Sequence, residues 1–231
     1  MSVADAEALR FEVPGGGEVS ALLQVPAASK ACYVLGHGAG AGMTHAFMTA
    51  LAAALAERAI ATLRYQFPYM ERGSKRVDPP ALAQAAVRAA VAAAARRLPG
   101  LPLIAGGKSF GGRMSSQAQA AAPLAGVRGL AFVGFPLHPA GAPSKQRAEH
   151  LAAVQVPMLF LQGTRDELAD AALIGEVAQS LGERATLQWF DDADHAFHVR
   201  VKSGRNDAQV LQALADAIGE WITQPRSDAR G

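Results

Sequence analysis

The chain has 231 residues, half of them apolar and 18% charged, with 22 basic against 20 acidic side chains for a formal charge of +2. That balance excludes a disordered tail, a collagen-like fibre and an acidic solvating segment, and it offers no basic block for nucleic acid. A chain of this length buries roughly 70–75% of its unfolded surface, enough for one sizeable core, so residues 1–231 are expected to form a single domain.

From the start, Met1 to Arg10 carries Asp5 and Glu7 and lacks a basic start followed by an apolar run, so no secretory leader is read and a cytoplasmic address is expected. Leu9 to Val13 and Glu18 to Val25 are strand-like runs around the turn cluster Pro14-Gly15-Gly16-Gly17, which predicts an antiparallel hairpin at the front edge. The single cysteine, Cys32, has no disulfide partner, and no Cys and His cluster has zinc-ligand spacing; no metal is expected.

Short Val, Ile, Leu and Phe runs follow at Tyr33 to Leu35, Ile60 to Leu63, Leu101 to Ala105, Leu130 to Val133, Met158 to Leu161 and Thr186 to Phe190. Their continuous apolar character is that of buried parallel strands. Alanine fills 51 of the 231 positions and, with Leu and Val at helical spacing, marks helices between those runs. These are Thr44 to Arg58, Pro80 to Leu98, Phe110 to Ala122, Ala169 to Leu181 and Asp207 to Ile222. The alternation predicts an α/β fold: a mostly parallel sheet of about seven or eight strands with helices on both faces. The Ala81 to Leu98 stretch is broken by Gln84, Arg88, Arg96 and Arg97, short of the about 18 uninterrupted apolar residues a membrane span needs. Two long polar loops, Gln66 to Pro79 and Phe135 to His150, exceed an ordinary connection and are expected to roof a site.

Gly107-Lys108-Ser109-Phe110-Gly111 follows a strand run and opens a helix, the strand-turn-helix setting of a nucleophile elbow. Small residues two before and two after the serine let strand and helix approach, and Gly107 and Gly111 meet that demand. The bland reading is a Gly-rich turn with no chemistry. A phosphate-binding P-loop is excluded, because its first glycine falls on Pro102.

A serine hydroxyl is a poor nucleophile unless a histidine takes its proton and a carboxylate orients the imidazole. Asp166 falls on the loop after Met158 to Leu161, and His195 after the last strand, so the chain order is Ser109, Asp166, His195 with each residue leaving the same sheet edge. His198 is a second candidate base and Asp170 a second candidate acid, while Asp191, Asp192 and Asp194 read as turn-forming or solvated. The oxyanion needs two backbone N–H donors: Phe110 after the nucleophile, and Ala39 in the loop Gly36-His37-Gly38-Ala39-Gly40-Ala41-Gly42, with Gly38 and Gly40 as alternatives. A dinucleotide fingerprint on Gly36, Gly38 and Ala41 competes, but the next strand ends Leu63-Arg64-Tyr65 without the acidic residue a ribose requires.

With these residues in place the chain resembles the α/β-hydrolase superfamily. More narrowly, it is similar to the small bacterial hydrolases related to testis-expressed protein 30 and the third subunit of the nonspecific-lethal acetyltransferase complex, near dienelactone hydrolases. The stretches that carry this are Gly36-His37-Gly38-Ala39-Gly40, Leu63 to Met70 with its Phe-Pro-Tyr-Met, Gly106 to Arg113, Pro136-Leu137-His138-Pro139, Gln162 to Asp166 and Asp194-His195. The resemblance implies the α/β-hydrolase fold with minimal or no cap domain and no cofactor.

The expected activity is that of an esterase-type serine hydrolase acting on a small-molecule ester, as a monomer or homodimer. The alternative is an idle hydrolase scaffold serving as a protein-interaction module. Tyr65, Phe67, Tyr69 and Met70 are expected to wall the pocket, Arg64, Arg72, Lys75 and Arg76 to solvate their loop or attract an acidic substrate, and His138 either to face the pocket or to sit at the surface. Lys108 is read as a support for neighbouring loops, and Arg113 as a structural residue that hydrogen-bonds to steady them.

Overall fold

The turn cluster folds back as the glycines require. β1 (Glu7–Val13) pairs antiparallel with β2 (Gly17–Gln24), and β2 pairs antiparallel with β4 (Ile60–Tyr65). All other neighbours are parallel: β3 (Ala31–Gly36), β5 (Leu103–Lys108), β6 (Val127–Val133), β7 (Met158–Gly163) and β8 (Ala185–Phe190). The eight-stranded sheet runs β1-β2-β4-β3-β5-β6-β7-β8. This computed structural model describes residues 5–224; residues 1–4 and 225–231 lie outside the described residues, so the reading of Met1 to Arg10 falls partly outside them.

The helices are α1 (Ala46–Ala56), a short α2 (Pro68–Glu71), α3 (Pro80–Arg97), α4 (Phe110–Ala121), α5 (Ala171–Ser180) and α6 (Asp207–Thr223). Strand periodicity of two sends alternate side chains to opposite faces. In β3, Tyr33 and Leu35 join Met48, Leu51 and Leu55 of α1 and Leu214, Ile218 and Trp221 of α6 on one face. Cys32 and Val34 join Val87 of α3, Met114 of α4 and Ile174 of α5 on the other. Each fully buried Leu, Ile or Phe in these layers contributes about 1.5–3 kcal/mol. Alanines at the buried positions of α3 (Ala83, Ala86, Ala90, Ala94) leave the least side-chain bulk between helix and sheet. Among the described residues, no helix is long and apolar enough to cross a membrane.

The two long loops depart from the expectation of a roof. In the first, Phe67 and Tyr69 join Tyr65 at the end of β4 in the core, all completely buried, and α2 forms, with Pro68 at its first position, where a missing N–H does no harm. In the second, Leu137 and His138 are buried, and the chain closes into a 3-10 helix over Gln146–Ala153. The inward turn has a simple cause: these aromatics lose more from hydration than a solvent-exposed roof would recover.

Candidate active site

β5 ends in a turn whose backbone is forced. Ser109 has φ +49° and ψ −111°, a region costly to any residue with a side chain. A Cβ on Gly111 would collide with the Gly36 carbonyl group, and one on Gly107 with the same oxygen, so strand and helix touch here backbone to backbone. Ser109 N donates to Val133 O at 3.1 Å, which pins the turn to β6.

His195 sits at the tip of a tight turn after β8. Asp194 Oδ1 accepts from Ala196 N at 2.8 Å and His198 N at 3.0 Å, and Ala193 bridges to Val199. His195 Nε2 lies 2.9 Å from Ser109 Oγ, and His195 Nδ1 lies 2.7 Å from Asp166 Oδ2. An ionised carboxylate only accepts, so the proton belongs on Nδ1, leaving Nε2 to accept from the Ser109 hydroxyl. The Asp166 side chain is wholly buried; Oδ2 also accepts from Gln162 Nε2 at 2.5 Å and Oδ1 accepts from Leu168 N at 2.8 Å. Three donors on one buried carboxylate hold it in a single orientation.

The sequence alternatives lie elsewhere. His198 pairs with Asp207 at 2.8 Å on the surface, which raises its pKa. Asp170 caps α5, accepting from Ala172 N and Leu173 N, both at 3.0 Å. Asp192 is occupied by Arg200, Asp194 by its own turn, and Asp191 is exposed. His138 is buried, bonded to Pro139 O and accepting from Asp170 N at 2.8 Å, so neither expected place for it holds.

The glycine loop after β3 is anchored from below by the segment expected to wall the pocket. His37 is buried, its Nδ1 facing Gly38 O at 2.7 Å while its Nε2 accepts from Phe67 N at 3.2 Å; burial pushes its pKa down to about 4 and keeps the ring neutral. Tyr69 Oη accepts from Gly40 N at 3.0 Å, Gln66 Oε1 accepts from Met43 N at 2.8 Å, and Arg64 donates to Met43 O at 3.2 Å and Thr49 Oγ1 at 2.9 Å. Arg64 is therefore a buried strut and not a solvating charge, while Arg72 pairs with Asp78 at 2.7 Å. Gly40 N being engaged, the N–H groups of Ala39 and Phe110 keep no protein acceptor among the described residues. Arg113, expected to steady loops by a hydrogen bond, has its Nε buried without a partner.

A cavity of about 340 Å³ opens over Ser109 and His195. Its largely apolar walls include Phe47 and Met48 of α1, Leu168, Ala196, Ala39 and Ala41, with His45 and Lys108 as polar members; the expectation of the long loops as a roof does not include this set. The recoverable signal is positional: α1 begins right after the glycine loop, and Leu168 follows Asp166 by two residues. Among the described residues no cluster of His, Cys, Asp and Glu has the makings of a metal site.

A family model described as an alpha/beta hydrolase domain matches residues 29–223. Among solved structures, the chain is similar to a serine hydrolase without a lid from Xanthomonas campestris, with 23% identity over 96% of this chain and 97% of that one and a TM-score of 0.75. It is also similar to a dienelactone hydrolase from Anabaena variabilis, with 19% identity over 96% and 98% of the two chains and a TM-score of 0.76. A third likeness is a serine hydrolase homologue from Coxiella burnetii, at 19% identity over 94% and 99% and a TM-score of 0.72. At such identities the structures speak for the fold, and they agree on it. The sheet order, the sharp turn at Ser109 and the family match together make this chain a member of the alpha/beta hydrolase family.

Proposed function

We propose that the protein is a carboxylic ester hydrolase in which Ser109 is the nucleophile, His195 the general base and acid, and Asp166 the residue that orients the imidazole. The observation that carries this reading is the unbroken file of hydrogen bonds from Asp166 through His195 to the Ser109 hydroxyl, at 2.7 and 2.9 Å, opening on an apolar cavity.

Ser109 Oγ attacks the ester carbonyl carbon while its proton passes to His195 Nε2, and the imidazolium formed is held by the buried Asp166 carboxylate. The carbonyl oxygen, now negative, is taken up by the free N–H groups of Phe110 and Ala39. Collapse expels the alcohol, which collects the proton from Nε2 and leaves an acyl-serine. Water then gives a proton to Nε2 and adds to the acyl carbon. Breakdown returns the proton to Ser109 and frees the acid. The cavity's aliphatic and aromatic walls favour uncharged esters with a short apolar group. The narrower kinship with the testis-expressed protein 30 group rests on the Phe67 to Met70 and Pro136 to Pro139 segments.

Ser109→Ala is expected to lower kcat for p-nitrophenyl butyrate by about 10⁴-fold or more and to abolish labelling by a fluorophosphonate. Retention of both activities in that variant sinks the assignment.

A further inference from the structure

Lys108, the residue just before the nucleophile, takes no part in the proton path, yet its head is placed with care. Nζ donates to His195 O at 2.6 Å and lies 5.5 Å from the centroid of the Phe197 ring. The stem crosses the floor of the cavity, its Cγ 3.6 Å from where a Cβ on Gly38 would stand, and the head comes up against Gly134, beside the His195 ring. Burial pushes this amine down to about 8, opposed by the charges of Asp166 and Asp194. The residue is half-buried, and even partial withdrawal of a cation from water is costly, whereas a lysine needed only to solvate the loop would point outward. Phe197, two residues beyond the histidine, has φ +65°, a left-handed conformation unfavourable for a bulky side chain. That turn lays the Phe197 ring beneath the ammonium, where it also packs edge-on to Phe190 and stacked with Phe47.

We infer that Lys108 is a positioning residue for His195: its ammonium, seated on the Phe197 ring and bonded to the His195 carbonyl oxygen, ties the histidine turn to the residue adjoining the nucleophile. The tie spans two segments 87 residues apart and fixes the Nε2 to Oγ separation from the backbone side, where the Asp166 hydrogen bond fixes it from the ring side. Hydrogen bond and cation–π contact act together here, and each is worth more where water is excluded. The inference rests on the proposed roles of Ser109 and His195.

Steady-state kinetics on p-nitrophenyl butyrate, with the rate of fluorophosphonate labelling, test it in the full chain. Lys108→Met keeps the stem and removes the head; kcat and the labelling rate are expected to fall together by about 10–100-fold, as a misplaced base requires, with KM within twofold of the parent. Lys108→Arg keeps charge and donors and is expected to recover at least half of the loss on a logarithmic scale. Lys108→Gln stands in for the methionine variant, by the same criteria, should the latter not fold. A kcat within twofold of the parent in Lys108→Met, a rise in KM alone, or no recovery with arginine overturns the inference. A parent chain that neither turns over the ester nor takes the label overturns the hydrolase reading instead, so the two failures are told apart.

Discussion

Ser109, His195 and Asp166 each look unremarkable alone, and what gives them a reading is the company each keeps. The strained Ser109 backbone, which costs about 1–3 kcal/mol, persists because Val133 O and the touching glycines hold it. That these three side chains would meet was legible from their order and from the strand ends they follow. Tyr69 was not: it was expected at the pocket wall, and it is instead a buried anchor for Gly40 N. Tyr69→Phe deletes only the accepting oxygen, a hydrogen bond worth about 1 kcal/mol. On the proposed ester-hydrolase reading, the expected result is a kcat some 3–10-fold lower, because the loop bearing the proposed oxyanion donor Ala39 loses an anchor, with KM little changed. Michaelis–Menten analysis of the variant checks this, and an elevated KM at parental kcat would contradict it.

At the scale of elements, the parallel strands were legible because strands covered on both faces read as continuous apolar runs, and β3 to β7 do. Helix positions followed from alanine density, with ends off by a residue or two: the Asp170 cap starts α5 at Ala171 rather than Ala169, while α6 starts at Asp207 as expected, behind its Asn206 cap. The stretch running on from the end of β4 reads as a polar loop from Gln66 onward on the strength of its charges, Arg72, Lys75 and Arg76. Its aromatics at 65, 67 and 69 alternate with Arg64, Gln66 and Pro68, the period of an extended chain with one face inward. That alternation was the available signal. The pocket wall was legible only as position along the chain, Phe47 after the glycine loop and Leu168 after Asp166; that both line one cavity follows only once α1 and the β7 loop are folded over the same sheet edge.

Across the whole molecule, one buried imidazole, His37, and one half-buried, His150, couple stability to acidity. His37 and His150 are each pushed down to about 4 by burial, so between their ordinary pKa of about 6.5 and 4 the unfolded chain binds protons that the folded chain does not. Stability is therefore expected to be full above pH 6.5 and to decline as pH falls toward 4. Urea midpoints at pH 7.5, 6.0 and 5.0 should move steadily downward, with a weaker slope in His150→Gln; midpoints flat over that range would refute the linkage.

The sheet order places β5, which leads to the serine, amid neighbours and β8, which leads to the histidine turn, at the margin, bonded among the described strands to β7 alone and with half its residues open to solvent. Marginal strands open more readily than central ones. Amide protons of 186–190 should thus exchange with deuterium well before those of 103–108, and equal protection of the two would speak against it. If Ser109 and His195 act as proposed, peeling of that margin would disarm the serine while the rest of the sheet stayed intact, so catalytic competence is expected to expire earlier than foldedness as denaturant rises.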